Sequence, residues 1–81
     1  DKQDRQYLET LIRVFGGGPA GVEAISHTMN GAVDTIEEEV EPYLLRINML
    51  VRTPRGRKAT SKPFEHLGVD PGPLENPDRL F

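Results

Sequence analysis

The residues of this chain that could do chemistry are its charged ones, and they are segregated along the sequence. A run over 46–62 has six Lys and Arg residues and no acid. The run before it, over 34–41, has five Asp and Glu residues and no base. The formal net charge is −3, but a local basic stripe attracts phosphate even on an acidic domain. The basic run is therefore a candidate surface for binding nucleic acid.

Arg55-Gly56-Arg57 is the sharpest feature of the basic run. A glycine between guanidinium groups lets backbone and charge approach a phosphate closely, and the planar fork of arginine suits that contact. A hairpin tip of this kind is exposed, so we expect neither arginine to fill the core. The competing interpretation is a solvated turn whose charges serve solubility alone.

No combination of residues predicts catalysis or a metal site. The absence of Cys excludes disulfides, thiolate chemistry and cysteine-bound zinc. His27 and His66 are isolated, and the glutamates within 37–41 occupy helical positions that point in different directions, as on a solvated helix face. Glycines 16–18 lack the Lys and Ser/Thr of a phosphate-binding loop, so a helix end and tight turn is favoured. We expect no catalytic residue, metal or cofactor in this chain.

Hydrophobic periodicity predicts three helices. The first runs from Asp4, as its cap, to Phe15, and the second over about 21–29, ended by Asn30-Gly31. The third starts at 34 or 35, with a kink or break expected at Pro42. The inward stripe of the third helix is Ile36, Val40, Leu44 and Ile47. Four aromatic residues are also expected in the core: Tyr7, Phe15, Tyr43 and Phe64.

Beyond residue 48 the hydrophobic period changes to that of strands. Residues 49–53 and 57–60 read as two short strands around the turn Pro54-Arg55-Gly56. Ser61 is expected to cap a last short helix that Gly68 closes. Residues 69–81 are rich in proline and poor in core formers, which predicts a flexible tail.

Three helices followed by a hairpin are typical of the winged helix-turn-helix fold. The prediction is a mostly α domain over 4–68, with a three-helix core and a two-stranded β-hairpin wing, followed by the tail over 69–81. The chain starts at Asp1 without an initiator Met, so we expect a fragment of a longer protein. No apolar run reaches the roughly 18 residues of a membrane span, and no signal peptide is evident, which favours the cytoplasm.

Three segments, in this order and spacing, resemble the C-terminal domain of the RuvB family: YLETLIRVFGGGPAGVEAI (7–25), DTIEEEVEPYLL (34–45) and RTPRGRKAT (52–60). FGGGPAGVE and RTPRGR are specific in combination. The resemblance covers about residues 4–68, and the tail is not part of the shared pattern.

The resemblance implies a role within a larger machine. Members of this family are hexameric AAA+ ATPase rings that drive duplex DNA through a Holliday junction bound by a RuvA-type partner, in bacterial recombination and repair. Their winged helix faces the DNA and touches its backbone. ATP and Mg would bind upstream of this chain, because the sequence has no G-x-x-x-x-G-K-[ST] loop.

The segregated charge and the resemblance together favour contact between the wing and DNA phosphates over the solvated turn. The residues predicted to bind DNA are Arg52, Thr53, Arg55, Gly56, Arg57 and Lys58. The acids of the third helix would repel phosphates beside a groove, so this helix is not expected to read bases. Two alternatives share the fold: a winged-helix transcription regulator and a winged helix that binds protein.

Overall fold

Helices and one hairpin surround a single apolar core in the computed structural model, which describes residues 2–67 and the side chains of 2–65. The elements are α1 (Lys2–Arg13), α2 (Val22–Thr28), a composite third helix, strands β1 (Leu50–Thr53) and β2 (Gly56–Ala59), and a last helix (Ser61–Leu67). We call the third helix α3; it consists of Val33–Thr35, a π-helical turn Ile36–Val40, and Glu41–Arg46. The last helix is α4. The predicted tail and the imidazole of His66 lie outside the described residues.

The core is built from one face of each element. Its buried apolar residues are Tyr7, Leu8, Leu11 and Ile12 of α1, Ile25 and Met29 from α2 and its end, Ile36, Val40 and Leu44 of α3, Leu50 and Ala59 of the hairpin, Ala20, and Phe64 of α4. Phe15 and Ile47 pack against them half-buried. The predicted inward faces are thus confirmed, except at Tyr43. Tyr43 is 43% exposed, and the guanidinium of Arg46 lies 5.8 Å from its ring centroid.

Two asparagines end the second and third helices. Asn30 and Asn48 adopt left-handed φ values of 58° and 62°. The N–H groups of the residues that follow them, Gly31 and Met49, donate to the carbonyls of Ser26 and Leu44 at 2.8 and 3.0 Å. This Schellman arrangement satisfies carbonyls at the helix end. It confirms the predicted break at Asn30-Gly31.

The irregularity predicted at Pro42 lies one turn earlier. Proline has no N–H, and in a regular α-helix its ring would collide with the carbonyl four residues back. The N–H of Glu41 instead donates to Ile36, five residues back, which closes a π turn just before the proline. The helix then continues through Pro42 to Arg46.

Three helix starts also differ from the prediction by a few residues, and one of them is that of α3, which begins at Val33 instead of at residue 34 or 35. Asp4 lies inside the first turn of α1 instead of preceding it, because the helix already includes Lys2. The hydroxyl of Thr60, rather than that of Ser61, accepts the N–H of Lys62 at 3.3 Å. These shifts are local and leave the predicted order of elements unchanged.

The hairpin is fixed to the body by its second strand. β1 and β2 are antiparallel, with Thr53 opposite Gly56 across the two-residue turn. The other edge of β2 pairs with Ala20, which exchanges backbone hydrogen bonds of 2.9 and 2.7 Å with Arg57. Gly56 has φ +134°, and a Cβ there would lie 2.6 Å from the carbonyl oxygen of Ala20, so only glycine fits.

No helix within residues 2–67 has the length and apolar character needed to cross a bilayer.

Leu11→Ala and Leu44→Ala should each lower the free energy of unfolding by about 2–5 kcal/mol, because both side chains are almost fully buried. Val14→Ala is the control, since Val14 is 60% exposed and its loss should change stability by less than about 0.5 kcal/mol. Urea unfolding followed by circular dichroism measures all three. Equal effects at Val14 and Leu44 would contradict this assignment of the core.

Candidate nucleic-acid interface

The hairpin has one face turned toward α3 and one turned away. Arg52 and Arg57 are direct cross-strand partners, so their side chains emerge on the same face. Val51 and Lys58 are the next pair and emerge on the opposite face. The basic residues of the wing are therefore divided between two surfaces, a division that the basic run did not indicate by itself.

A buried carboxylate lies at the centre of the face toward α3. Glu41 has no solvent exposure, and it accepts a 2.6 Å hydrogen bond from the hydroxyl of Tyr7 at Oε2. Arg57 donates from Nε to Oε2 at 2.9 Å and from Nη2 to Oε1 at 3.0 Å. Arg52 lies further away, with its Nη2 3.7 Å from Oε1. The carboxylate therefore joins α1, α3 and both strands.

The electrostatics of this cluster follow from its burial. The hydrogen bond from Arg57 to Glu41 raises the pKa of the guanidinium, so Arg57 stays charged. Burial raises the pKa of Tyr7 far above its ordinary value, and the hydrogen bond to Glu41 raises it further. Tyr7 therefore remains a neutral donor. A buried carboxylate is tolerated because these donors and cations replace its water.

Two sequence-based expectations are wrong here. Glu41 was expected on a solvated face but is fully buried. Arg57 was not expected to fill the core, but its side chain is only 17% exposed and bonded to Glu41. The π turn is the cause. In a regular α-helix the fifth residue after Ile36 would lie about 140° away round the axis, whereas the wider turn returns Glu41 to the buried face.

Two of the predicted site residues shape the turn. The hydroxyl of Thr53 donates to the carbonyl of Gly56 at 2.9 Å and accepts the N–H of Arg55 at 3.1 Å. Gly56 supplies the positive φ and the close approach to Ala20. These residues fix the direction of the tip, and the side chain of Thr53 is already engaged in doing so.

The other cations of the wing are not held by Glu41 in a bidentate pair. Arg55 at the tip is exposed and Lys58 is half-exposed, and neither forms an ion pair within the part of the chain that the structure describes. Arg52 is 55% exposed despite its proximity to Glu41. Lys62 of α4 is also exposed. Arg57 is thus the wing cation held in a bidentate pair with Glu41, whereas Arg52, Arg55 and Lys58 are not held in this way.

The exposed surface of α3 has the opposite charge. Asp34, Glu37, Glu38 and Glu39 are exposed, and of these Glu37 approaches Nη2 of Arg57 at 3.4 Å. Such a surface repels phosphates on either side of a groove. Among the described residues, no group of three or more potential ligands could hold a metal ion.

Comparison with known proteins gives one consistent family. Residues 1–68 match the model of the RuvB C-terminal winged helix domain. The chain is 69% identical over 67 residues to the Holliday junction branch migration complex subunit RuvB of Rhodopirellula baltica, covering 83% of this chain and 18% of that protein. The corresponding subunit of Pseudothermotoga lettingae is 52% identical over 68 residues, covering 84% of this chain and 20% of that protein.

Solved structures point to the same family. The Thermotoga maritima RuvB Holliday junction branch migration motor is similar with a TM-score of 0.84 at 43% identity, over 86% of this chain and 24% of that one. The chain therefore spans about a fifth of the length of its curated relatives. The family resemblance and the winged-helix fold expected from the sequence are both confirmed.

Arg57→Ala should lower the free energy of unfolding by roughly 3 kcal/mol, because it leaves the buried Glu41 without its main cation. This loss of stability lies at the low end of the range for breaking a buried ion pair, because Tyr7 and Arg52 still approach the carboxylate of Glu41. Arg55→Ala removes the same charge from an exposed position and should change stability by less than about 0.5 kcal/mol. Chemical unfolding of both variants measures the difference, and equal stabilities would contradict it.

The pH dependence of stability should report Tyr7. Because folding raises the pKa of Tyr7 above its unfolded value of about 10, its contribution is complete below that pH and is lost as pH rises above it. Tyr7→Phe should cost roughly 1.5 kcal/mol at neutral pH, as a hydrogen bond to a charged group is lost. It should also lose less stability between pH 8 and 11 than the parent. Parallel alkaline losses in the two proteins would refute this.

Proposed function

The chain belongs to the RuvB family as its C-terminal winged helix domain, and we propose that its wing binds duplex DNA through the phosphate backbone. In this proposal the domain is the DNA grip of a motor that drives branch migration at Holliday junctions during recombination and repair. It performs no catalysis itself. ATP and Mg are bound by upstream domains of the full-length protein.

The position of the solvent-accessible cations of the wing supports this proposal most directly. Arg55 projects from a two-residue turn, with Arg52 on one face of the hairpin and Lys58 on the other. A convex tip carrying cations on both sides can enter the space beside a DNA strand and meet successive phosphates. Such contacts position a protein on DNA and carry no base code.

The acidic surface of α3 supports backbone binding over base readout. Helix-turn-helix proteins that read sequence place this helix in the major groove. Here four exposed acids occupy it, so phosphates would be repelled. A motor that moves along DNA of any sequence needs a grip without base contacts, and the wing alone provides it.

The proposed assembly is the one expected for members of the RuvB family. Six copies of the full-length protein form a ring around duplex DNA, next to a RuvA-type protein that holds the junction, in the bacterial cytoplasm. Each wing then makes only a few phosphate contacts. Because linked modules bind at high effective concentration, weak individual contacts add up to a firm grip on the DNA.

Arg55→Ala should weaken binding of the chain to duplex DNA about tenfold for every sequence tested, the loss of roughly 1.5 kcal/mol for one charge-assisted contact. The plot of log affinity against log salt should flatten by about 0.9 for one phosphate. Arg5→Ala is the matched control, because Arg5 is an exposed arginine of α1 far from the wing in sequence. Fluorescence anisotropy with several duplexes, starting near ~50 mM salt, measures both variants.

Two outcomes would replace the proposal with a different function for the same fold. An affinity that Arg55→Ala leaves unchanged favours a wing that binds protein. A loss confined to one duplex sequence favours a transcription regulator.

A further inference from the structure

We propose that Arg52 and Arg57 bind one and the same DNA phosphate, as a two-arginine clamp that the buried carboxylate of Glu41 holds together. This inference rests on the proposed function and deepens it, because it names the two side chains that share a phosphate. Arg55, at the turn, then meets a phosphate of its own. The ligand of the clamp is a phosphodiester of the DNA backbone, which carries a single negative charge.

The register of the hairpin brings the two arginines together. Arg52 and Arg57 are direct partners across the strands. The N–H and C=O of Arg57 bond to Ala20 on the other edge of β2, so they point away from β1, and the pair is a non-hydrogen-bonded one. In antiparallel sheets this is the closer kind of pair, with Cα atoms about 4.5 Å apart. The two guanidinium groups therefore begin within reach of a single anion.

Glu41 already receives both guanidinium groups at one oxygen atom. Nη2 of Arg57 lies 3.0 Å from Oε1 of Glu41, and Nη2 of Arg52 lies 3.7 Å from the same oxygen. Two cations this close repel each other, and the buried negative charge offsets that repulsion. The three side chains together carry one net positive charge, which matches the single negative charge of a phosphodiester.

Both arginines retain donors after they meet the carboxylate. A guanidinium has five N–H groups, and Arg57 uses Nε and Nη2 for Glu41, which leaves Nη1 without a hydrogen bond to any side chain of residues 2–65. Arg52 lies beyond hydrogen-bond distance of Glu41, and its side chain is 55% exposed. Glu37 also approaches Arg57, at 3.4 Å, but it is 44% exposed, so water weakens its competition with a phosphate.

The salt dependence of duplex binding tests the clamp, because each neutralised phosphate contributes about 0.9 to the slope of log affinity against log salt. Arg52→Gln should weaken binding several-fold and leave this slope nearly unchanged, since Arg57 still neutralises the shared phosphate. Arg55→Gln is the matched control: it removes the same charge from the turn and should flatten the slope by about 0.9. Equal flattening by the two variants would overturn the inference.

Removing both arginines tests the sharing directly. The double variant Glu41→Met/Arg57→Met keeps the net charge, and replacing a buried ion pair with apolar residues is often neutral or stabilising. Addition of Arg52→Gln should flatten the slope by about 0.9 in total relative to the parent, whereas two separate phosphates give about 1.8. The larger value would overturn the inference. If the triple variant does not fold, Arg52→Gln alone decides, because Arg52 is exposed and its loss should leave the fold intact.

Failure of this inference and failure of the proposed function give different results. A parent chain that does not bind duplex DNA at about 50 mM salt would refute the proposed function, and the clamp with it. Binding by the parent, with equal flattening by Arg52→Gln and Arg55→Gln, would refute the clamp alone. Circular dichroism of each variant establishes that the proteins compared are folded.

Discussion

The burial of one carboxylate constrains the rest of this domain. Glu41 has no exposed surface, and an ionised group out of water is tolerated only when donors and opposite charges replace its hydration. Tyr7 and Arg57 provide them, and each must come from a different element. Helix α1, helix α3 and the wing are therefore oriented by one polar contact as well as by their apolar faces. Apolar packing is nearly non-directional, whereas this contact has a defined geometry.

Much of the fold could be predicted because local sequence signals favour the same helices and strands that the apolar core requires. The stripe of Ile36, Val40 and Leu44 identifies the inward face of α3 whether or not the helix is regular, and Asn30-Gly31 marks a helix end by its backbone preference. The hairpin follows from strand-forming residues on either side of Pro54-Arg55. Each of these features depends on residues within one or two turns of each other, which is the range over which sequence patterns are informative.

The polar cluster could not be predicted because it depends on a change of helical pitch and on contacts remote in sequence. Tyr7 and Glu41 are 34 residues apart, and Glu41 reaches the core only because the π turn before Pro42 rotates it inward. One signal was present. Tyr7 is the polar-tipped member of an otherwise aliphatic stripe on α1, and a buried tyrosine hydroxyl requires a partner. The partner, however, could have been any acceptor on the facing elements.

The two arginines of Arg55-Gly56-Arg57 show how neighbouring cations of one motif can lie in different environments. Two residues apart on a strand, they would share a face, but Arg55 belongs to the turn and Arg57 to the strand. The turn exposes the first guanidinium to solvent, and the strand directs the second against α3. The close packing of Gly56 against Ala20 separates these environments within two residues, so the charge of a basic run does not by itself show how each cation is held by the domain.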